Sequence, residues 1–420
     1  MTPLLRKFLG QNWLLTALVG VLLVFGVHAV RLAGEGNPSP SIEFAYRDQI
    51  NWILIGLAVY FIVLMIDYRW LKWACGPGMF VGVGMLLYSL VWGKVINDTQ
   101  GWIDLGFISF QPSQFALGAA IITTSCALGE LRKVHPFFKQ PFVNMGLVAL
   151  LMGVPCLLVI LQGDIGTALI WLPVAGALCL IGNIPFRHLA LAGLAALTIL
   201  PLFYYFVLDD NRRSRVEVFL DIQKGNEIDI QGRGYAYHYL PMAVGSGGWN
   251  GFRADPMNIS PDSYSYNPDN ASENLADQKF SVHSQGLIPR KTAHTDFVFG
   301  VVAGHYGFRG SAMLILGFAL LVLICVHIAY FSRDQTGRLI VVGTAALLMA
   351  HTFQNIGMTI LLMPITGIPL PFLSYGGTFM VTILGLIGVV QSVWIHRHID
   401  PQRERAEKAV KITQSRLLPI

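Results

Sequence analysis

Lys291-Thr292-Ala293-His294-Thr295-Asp296-Phe297 puts an imidazole, a hydroxyl and a carboxylate within three consecutive residues, just ahead of an apolar stretch. Partial desolvation there raises a carboxylate's pKa and makes it a better base near neutral pH. Asp296 is therefore a candidate base, with His294 and Thr295 as hydrogen-bonding neighbours; the other role its chemistry allows is a helix amino cap. A second carboxylate, Asp164 in Gln162-Gly163-Asp164-Ile165-Gly166-Thr167, stands where two apolar runs meet. It can cap the following helix through free N–H groups and the helix dipole, or bind substrate or an ion directly. His351, Gln354 and Asn355 recur at i, i+3 and i+4, so they share one helix face and either bridge helices or line a cavity. Pro364-Ile365-Thr366-Gly367-Ile368-Pro369-Leu370-Pro371 carries three prolines in eight residues and runs on through Ser374 and Tyr375 to Gly377. That string is apolar yet cannot be a helix. Irregular backbone at membrane depth is tolerated only when buried in protein or lining a wet cavity, so a shaped, re-entrant loop is expected. The five cysteines lie in or beside apolar runs and offer neither a disulfide framework nor a CxxC metal site.

The elements that carry these residues are membrane helices. The chain has 420 residues, 54% hydrophobic and 13% charged, with a mean hydropathy of +0.56. Soluble domains carry roughly 25% charged residues. The composition therefore excludes a disordered chain, a nucleic-acid-binding module and most soluble enzymes. Apolar runs of spanning length fall at about 13–31, 50–67, 77–95, 111–128, 143–162, 165–182, 187–207, 310–331, 338–360 and 374–396. With the amino terminus placed inside, cytoplasmic segments hold sixteen Lys and Arg against three in the short outer loops. This bias fixes the orientation, and an even span count puts both termini in the cytoplasm. The expected fold is an all-α polytopic membrane protein with ten transmembrane helices, divided as helices one to seven over 1–207, a long extracytoplasmic loop at 208–309, helices eight to ten over 310–396, and a basic tail at 397–420. The tail is suited to anionic lipid headgroups or to plain solvation. In the long loop 22 of 102 residues are charged, the density of a soluble domain, and its middle at about 254–283 is polar and irregular.

Four strings together resemble the SEDS family (shape, elongation, division and sporulation), the RodA/FtsW group. They are Gly101-Trp102-Ile103-Asp104-Leu105-Gly106 followed by Gln111-Pro112-Ser113; Gln162 to Ala168; Ala293 to Phe297; and Asn355-Ile356-Gly357-Met358 running on to Gly377. Fainter matches are Arg215 with Phe219-Leu220-Asp221, Gly232-Arg233-Gly234-Tyr235, and Gly245 to Gly248. Asn12-Trp13 before the first span and the short termini favour the RodA-like branch.

The resemblance implies a peptidoglycan glycosyltransferase of the bacterial cytoplasmic membrane. Such enzymes polymerise lipid II at the outer face beside a class B penicillin-binding protein, a transpeptidase. It makes Asp296 the essential residue, and Trp102, Gln111, Ser113, Asp164, Arg215, Arg233, His294, Thr295, Asn355, Ser374 and Tyr375 the residues that line the substrate site. An acceptor hydroxyl attacking the anomeric carbon of an α-linked lipid-pyrophosphate donor needs one base and inverts to a β-linked product. The departing pyrophosphate needs cations: a divalent ion such as Mg or Mn, or basic side chains among Arg212, Arg213, Arg215, Arg233 and Lys291. The chain departs from the family pattern at several points. Gly101 stands for Arg, Gln114 and Leu117 for a Glu and Lys pair, Gly163 for Pro, Thr378 for Ser, and Gly304-His305 for an acidic pair. Loss of both members of a charge pair avoids leaving one charge buried alone. A lipid-linked precursor flippase and a scaffold that has lost catalysis are the alternative readings.

Overall fold

Within a bilayer, backbone polar groups must be satisfied inside the segment, so an apolar chain crosses as helices. The structure, a computed structural model, describes residues 3–35, 37–96, 99–104, 106, 109–206, 210–226, 229, 234–251 and 287–397. The stretch at 254–283, Arg233 and the tail beyond Arg397 lie outside the described residues.

The elements in chain order are α1 (Pro3–Leu9), α2 (Trp13–Gly34), α3 (Pro40–Glu43), α4 (Ala45–Met65) and α5 (Leu71–Trp92), then strands β1 (Lys94–Ile96), β2 (Thr99–Asp104) and β3 (Ser109–Phe110). They continue as α6 (Pro112–Val134), α7 (Pro141–Leu161), α8 (Ile165–Ile181), α9 (Phe186–Phe206), α10 (Asp210–Lys224), α11 (Tyr235–Ser246), α12 (Val298–Tyr330), α13 (Gln335–Thr359) and α14 (Gly377–Ile395). Among the described residues eight helices are long and apolar enough to cross a membrane, and two shorter apolar helices, Ile165–Ile181 and Phe186–Thr198, accompany them.

Two expectations need correction. The chain is mostly helical but not all-α. Between α5 and α6 an antiparallel three-stranded sheet sets Lys94 opposite Trp102 and Ile103 opposite Phe110. Its Val, Ile, Trp and Phe residues favour extended backbone, and the segment is too short to cross again. The second concerns the end of the long loop, which is helical: Val298 to Ala303 form a buried helical segment there. Gly307, at φ 64° and ψ −160°, breaks the helical backbone, and the helix over the apolar run expected at 310–331 follows it. The loop also holds α10 and α11, so part of it is ordered helix.

Helix α13 runs through the middle of the bundle against α6, α8, α12 and α14, while α14 lies along α4. Gly388 of α14 makes that last approach possible, since a Cβ there would stand 2.8 Å from the Tyr60 carbonyl oxygen. At the amino-terminal end of α2, Gln391 ties α14 to α2 with its whole amide. Its Nε2 donates to the Asn12 carbonyl at 2.9 Å and Thr16 Oγ at 3.0 Å, and its Oε1 accepts from Asn12 N–H at 2.8 Å. The large apolar side chains of Trp73, Phe80, Leu191 and Leu194 point outward from α5 and α9, as a lipid-facing surface requires.

Candidate active site

The end of the bundle at which α8, α12 and α14 begin and α13 finishes gathers the residues with chemistry. Asp296 lies on the turn just before α12. Its N–H donates to the Thr292 carbonyl at 2.9 Å, and its own carbonyl accepts from Asn355 Nδ2 at 2.7 Å. Asn355 donates from the same nitrogen to the Ile368 carbonyl at 2.6 Å, so one amide holds the Asp296 turn and the proline-rich loop together. Gln354 donates to Thr366 Oγ at 2.9 Å, and His351 Nδ1 meets the Pro369 carbonyl at 3.3 Å. The polar stripe on α13 is thus the fastening for residues 364–371. Every member of the stripe is buried.

Between α13 and α14 the loop is irregular, as the prolines require, and buried: Ile368, Leu370, Phe372 and Leu373 are at most 1% exposed. Ser374 accepts at its Oγ from Leu370 N–H at 2.8 Å, and its carbonyl accepts from Gln49 Nε2 of α4 at 3.1 Å. Tyr375 N–H donates to the His294 carbonyl at 2.9 Å, and the two rings lie 5.5 Å apart. Gly367, at φ 72°, is the point where the loop meets the acid. A Cβ there would sit 3.2 Å from Asp296 Oδ2, so glycine leaves room both for the turn and for the carboxylate.

Asp164 does cap α8: its Oδ1 accepts from Thr167 N–H at 3.0 Å. Its Oδ2 accepts from Gln111 Nε2 at 2.9 Å, which links α8 to the start of α6. Gly166 brings the first turn of α8 against the loop, since a Cβ there would lie 2.7 Å from the Thr366 carbonyl. Through that loop the two carboxylates come within electrostatic reach of each other. Arg212 and Arg215 sit one turn apart at the start of α10. Arg212 draws the Asp164 carboxyl down and Arg215 draws Asp296 down. Burial outweighs both: it raises Asp164 above the ordinary carboxylate range and lifts Asp296 to about 6, with the charge of Asp164 adding to the rise. Burial also lowers His294 to about 4, so its ring is neutral at pH 7. Asp296, half-buried, can therefore take up a proton near neutral pH beside a neutral histidine and within reach of the Arg215 charge.

The other expected residues are placed by their own contacts. Trp102 is half-buried on β2, and no described contact joins it to either carboxylate. The sheet reaches the site through Gln100 N–H, which donates to the Gln162 carbonyl at 3.0 Å; Gln162 Nε2 donates onward to the Leu86 carbonyl at 2.8 Å. Ser113 is buried in the first turn of α6, and Thr295 Oγ donates to the Thr292 carbonyl at 3.2 Å. Arg233 lies outside the described residues. Gln114 and Leu117 are buried side by side in α6, where neutral residues need no partner charge. Gly247 packs its backbone closely against Ala303 and Gly304, where a Cβ on residue 247 would meet the Ala303 carbonyl. Tyr237 gives no signal in the sequence. Its hydroxyl donates to the Arg215 carbonyl at 2.8 Å and accepts from Ile365 N–H at 3.0 Å, fastening α10 to the proline-rich loop.

Among the described residues no three His, Cys, Asp or Glu side chains cluster to hold a metal. Magnesium usually takes one or two carboxylates together with substrate phosphates. Asp164 and Asp296 are the pair that would hold it, and the ion would neutralise charge on a departing phosphate.

The fold and site define a polytopic helical bundle, apolar enough to cross a membrane, with two carboxylates and two arginines at one end. The particular family is shown by the sequence comparison. The FtsW/RodA/SpoVE family model, described as "Cell cycle protein", matches residues 7–257 and 281–399, and the chain belongs to this family. Peptidoglycan glycosyltransferase MrdB of Escherichia coli strain K12 is 28% identical over 352 residues, covering 83% of this chain and 85% of that protein. Peptidoglycan glycosyltransferase RodA of Treponema pallidum is 26% identical, covering 91% and 97%. The crystal structure of the Thermus thermophilus rod shape determining protein RodA is 25% identical, with a TM-score of 0.63 over 93% of this chain and 98% of that one. A chain from a peptidoglycan synthase complex that coordinates polymerization and crosslinking shares the fold, with a TM-score of 0.72, 24% identity and coverage of 93% and 99%.

Proposed function

We infer that the chain is a peptidoglycan glycosyltransferase that joins lipid II units into glycan strands at the outer face of the bacterial cytoplasmic membrane. The observation that carries the reading is Asp296, a half-buried carboxylate lifted to about 6 within electrostatic reach of Asp164 and Arg215, with Arg212 beside Asp164. Asp296 takes the proton of the acceptor hydroxyl as its oxygen bonds to the donor's anomeric carbon. The bond from that carbon to the pyrophosphate oxygen breaks, and the arginines hold the leaving charge. Attack opposite the leaving group inverts the carbon in one step, without a covalent enzyme intermediate. Asp164, Gln111, Asn355 and the proline-rich loop keep the acid and donor in register.

The eight long helices with α8 and α9 make ten spans, both termini lie in the cytoplasm, and the site then faces outward. The sixteen-to-three bias of Lys and Arg supports this orientation. A class B penicillin-binding protein is the partner that crosslinks the strands. The likeness in fold to a member of a polymerising and crosslinking complex supports this pairing. The deciding experiment gives lipid II to the purified full-length chain with its partner. Wild type makes glycan polymer and Asp296→Asn makes none while remaining folded. Polymer of normal length from the variant, or lipid II crossing vesicles with no polymer from wild type, would refute the reading.

A further inference from the structure

Gly163 holds a left-handed backbone, φ 85°, in the turn between α7 and α8. The space beside its Cα is filled by the guanidinium of Arg212. A Cβ built on residue 163 would run into Arg212 Nη2 and come within 2.6 Å of Cζ and 3.0 Å of Nη1. The atoms it would meet are the far end of one side chain, Cζ and both Nη of the guanidinium, so an added Cβ would push that group away and leave the backbone in place. The next residue, Asp164, is the carboxylate whose charge Arg212 steadies. Asp164 is already fixed by Thr167 N–H and Gln111 Nε2, so the guanidinium rests on a rigid floor.

We propose that Gly163 is a seat for Arg212, and that the seated guanidinium is a specificity-determining contact for the donor's pyrophosphate. The proposal rests on the glycosyltransferase reading and deepens it. Proline, the residue that the family resemblance leads one to expect at 163, would have both a ring at this point and φ near −65°. Neither the turn nor the seat would then exist. Buried Leu117 stands where a lysine is expected, so the cation of this site arrives instead from α10. A seated guanidinium offers a planar fork of donors that matches phosphate oxygens in pairs, and its orientation is set before substrate arrives. Arg215, one turn further along α10, is exposed and lies nearer to Asp296 in its influence. The two arginines thus divide the work between Asp164 with the leaving group and Asp296 with the acceptor.

The test is a cycle of full-length variants with lipid II as donor: Arg212→Gln, Arg212→Lys, Gly163→Ala and the Gly163→Ala/Arg212→Gln double. Arg212→Gln should lower kcat/KM roughly ten- to hundredfold through donor KM, and Arg212→Lys should recover part of it. Gly163→Ala should match Arg212→Gln, and the double variant should fall no more than about twofold below either. Gly163→Asn, which tolerates a left-handed turn but carries a Cβ, separates loss of the seat from backbone strain. It should behave like Gly163→Ala. A normal rate in Arg212→Gln or in both Gly163 variants overturns the proposal, as does a fully multiplicative loss in the double. Binding of undecaprenyl pyrophosphate against undecaprenyl monophosphate is measured on the same proteins. Wild type should prefer the pyrophosphate and Arg212→Gln should lose that preference. An unchanged preference overturns the seat even where polymerisation is absent, whereas absent polymerisation in wild type counts only against the glycosyltransferase reading.

Discussion

Two buried polar clusters in this bundle do opposite things. Around Gln391, neutral amide and hydroxyl groups bond one another between α2 and α14, and no carboxylate takes part. Around Asp296, ionisable groups are held half-buried with arginines beside them, and burial moves the acid up to about 6. A neutral network satisfied within the membrane body lowers the energy of one arrangement of helices. A carboxylate in the same kind of surroundings is raised in free energy when charged, and so is ready to accept a proton. Burial stabilises structure in one place and prepares chemistry in the other.

Asp296→Asn separates the two most sharply. Polymerisation should fall by roughly 10²–10⁴-fold, the usual contribution of a positioned base, with thermal unfolding little changed. A stability loss that explains the activity loss would erase the distinction. Asn355→Ala acts on both sides, because its amide bonds the Asp296 and Ile368 carbonyls. Leaving those buried acceptors unpaired should cost about 1–3 kcal/mol of stability, and slackening the turn should reduce kcat roughly ten- to hundredfold. Retention of full activity would show that the loop does not position the acid.

The third prediction concerns pH. Since only deprotonated Asp296 can act as base, kcat/KM should climb with pH and level off above about 6. Between pH 7 and pH 5 it should fall about tenfold, as the fraction of free carboxylate falls. A flat profile over that range would remove Asp296 from the proton transfer. The mildest effect on catalysis is expected at Gln391→Leu. Unfolding should come at lower temperature, by an amount corresponding to about 1–3 kcal/mol, while activity per folded molecule stays at wild type. A drop in specific activity there would mean that the two clusters are coupled through α14.

Much of the site is visible in the chain because membrane depth makes polar residues conspicuous. Asp164, Asp296 and the His351-Gln354-Asn355 stripe stand out against apolar runs, and three prolines in eight residues announce the irregular loop. Asp164 fulfils the first of its two readings, capping α8 through Thr167 N–H. Tyr237 was invisible because a tyrosine among tyrosines in α11 carries no pattern; only its two hydrogen bonds distinguish it. The helical segment from Val298 to the break at Gly307 was assigned to the loop because the glycine, histidine and charged residues that follow it interrupt the apolar count. The small sheet at Lys94–Phe110 was hidden for a different reason: its strands are too short for a period of two to register.

By itself the sequence determined the membrane character of the chain and the positions of most helices, and it marked the carboxylates that stand at helix ends. Transfer of apolar side chains from water and the cost of buried charge act residue by residue, so they can be read without knowing neighbours. Tertiary structure alone decided that Asp164 and Asp296 sense each other, that Gly367 leaves space for one and Gly163 for the guanidinium beside the other, and that a single asparagine holds loop and acid together. Those relations join residues from 13 to 132 positions apart. They depend on which helix ends meet in space, and no local preference encodes that.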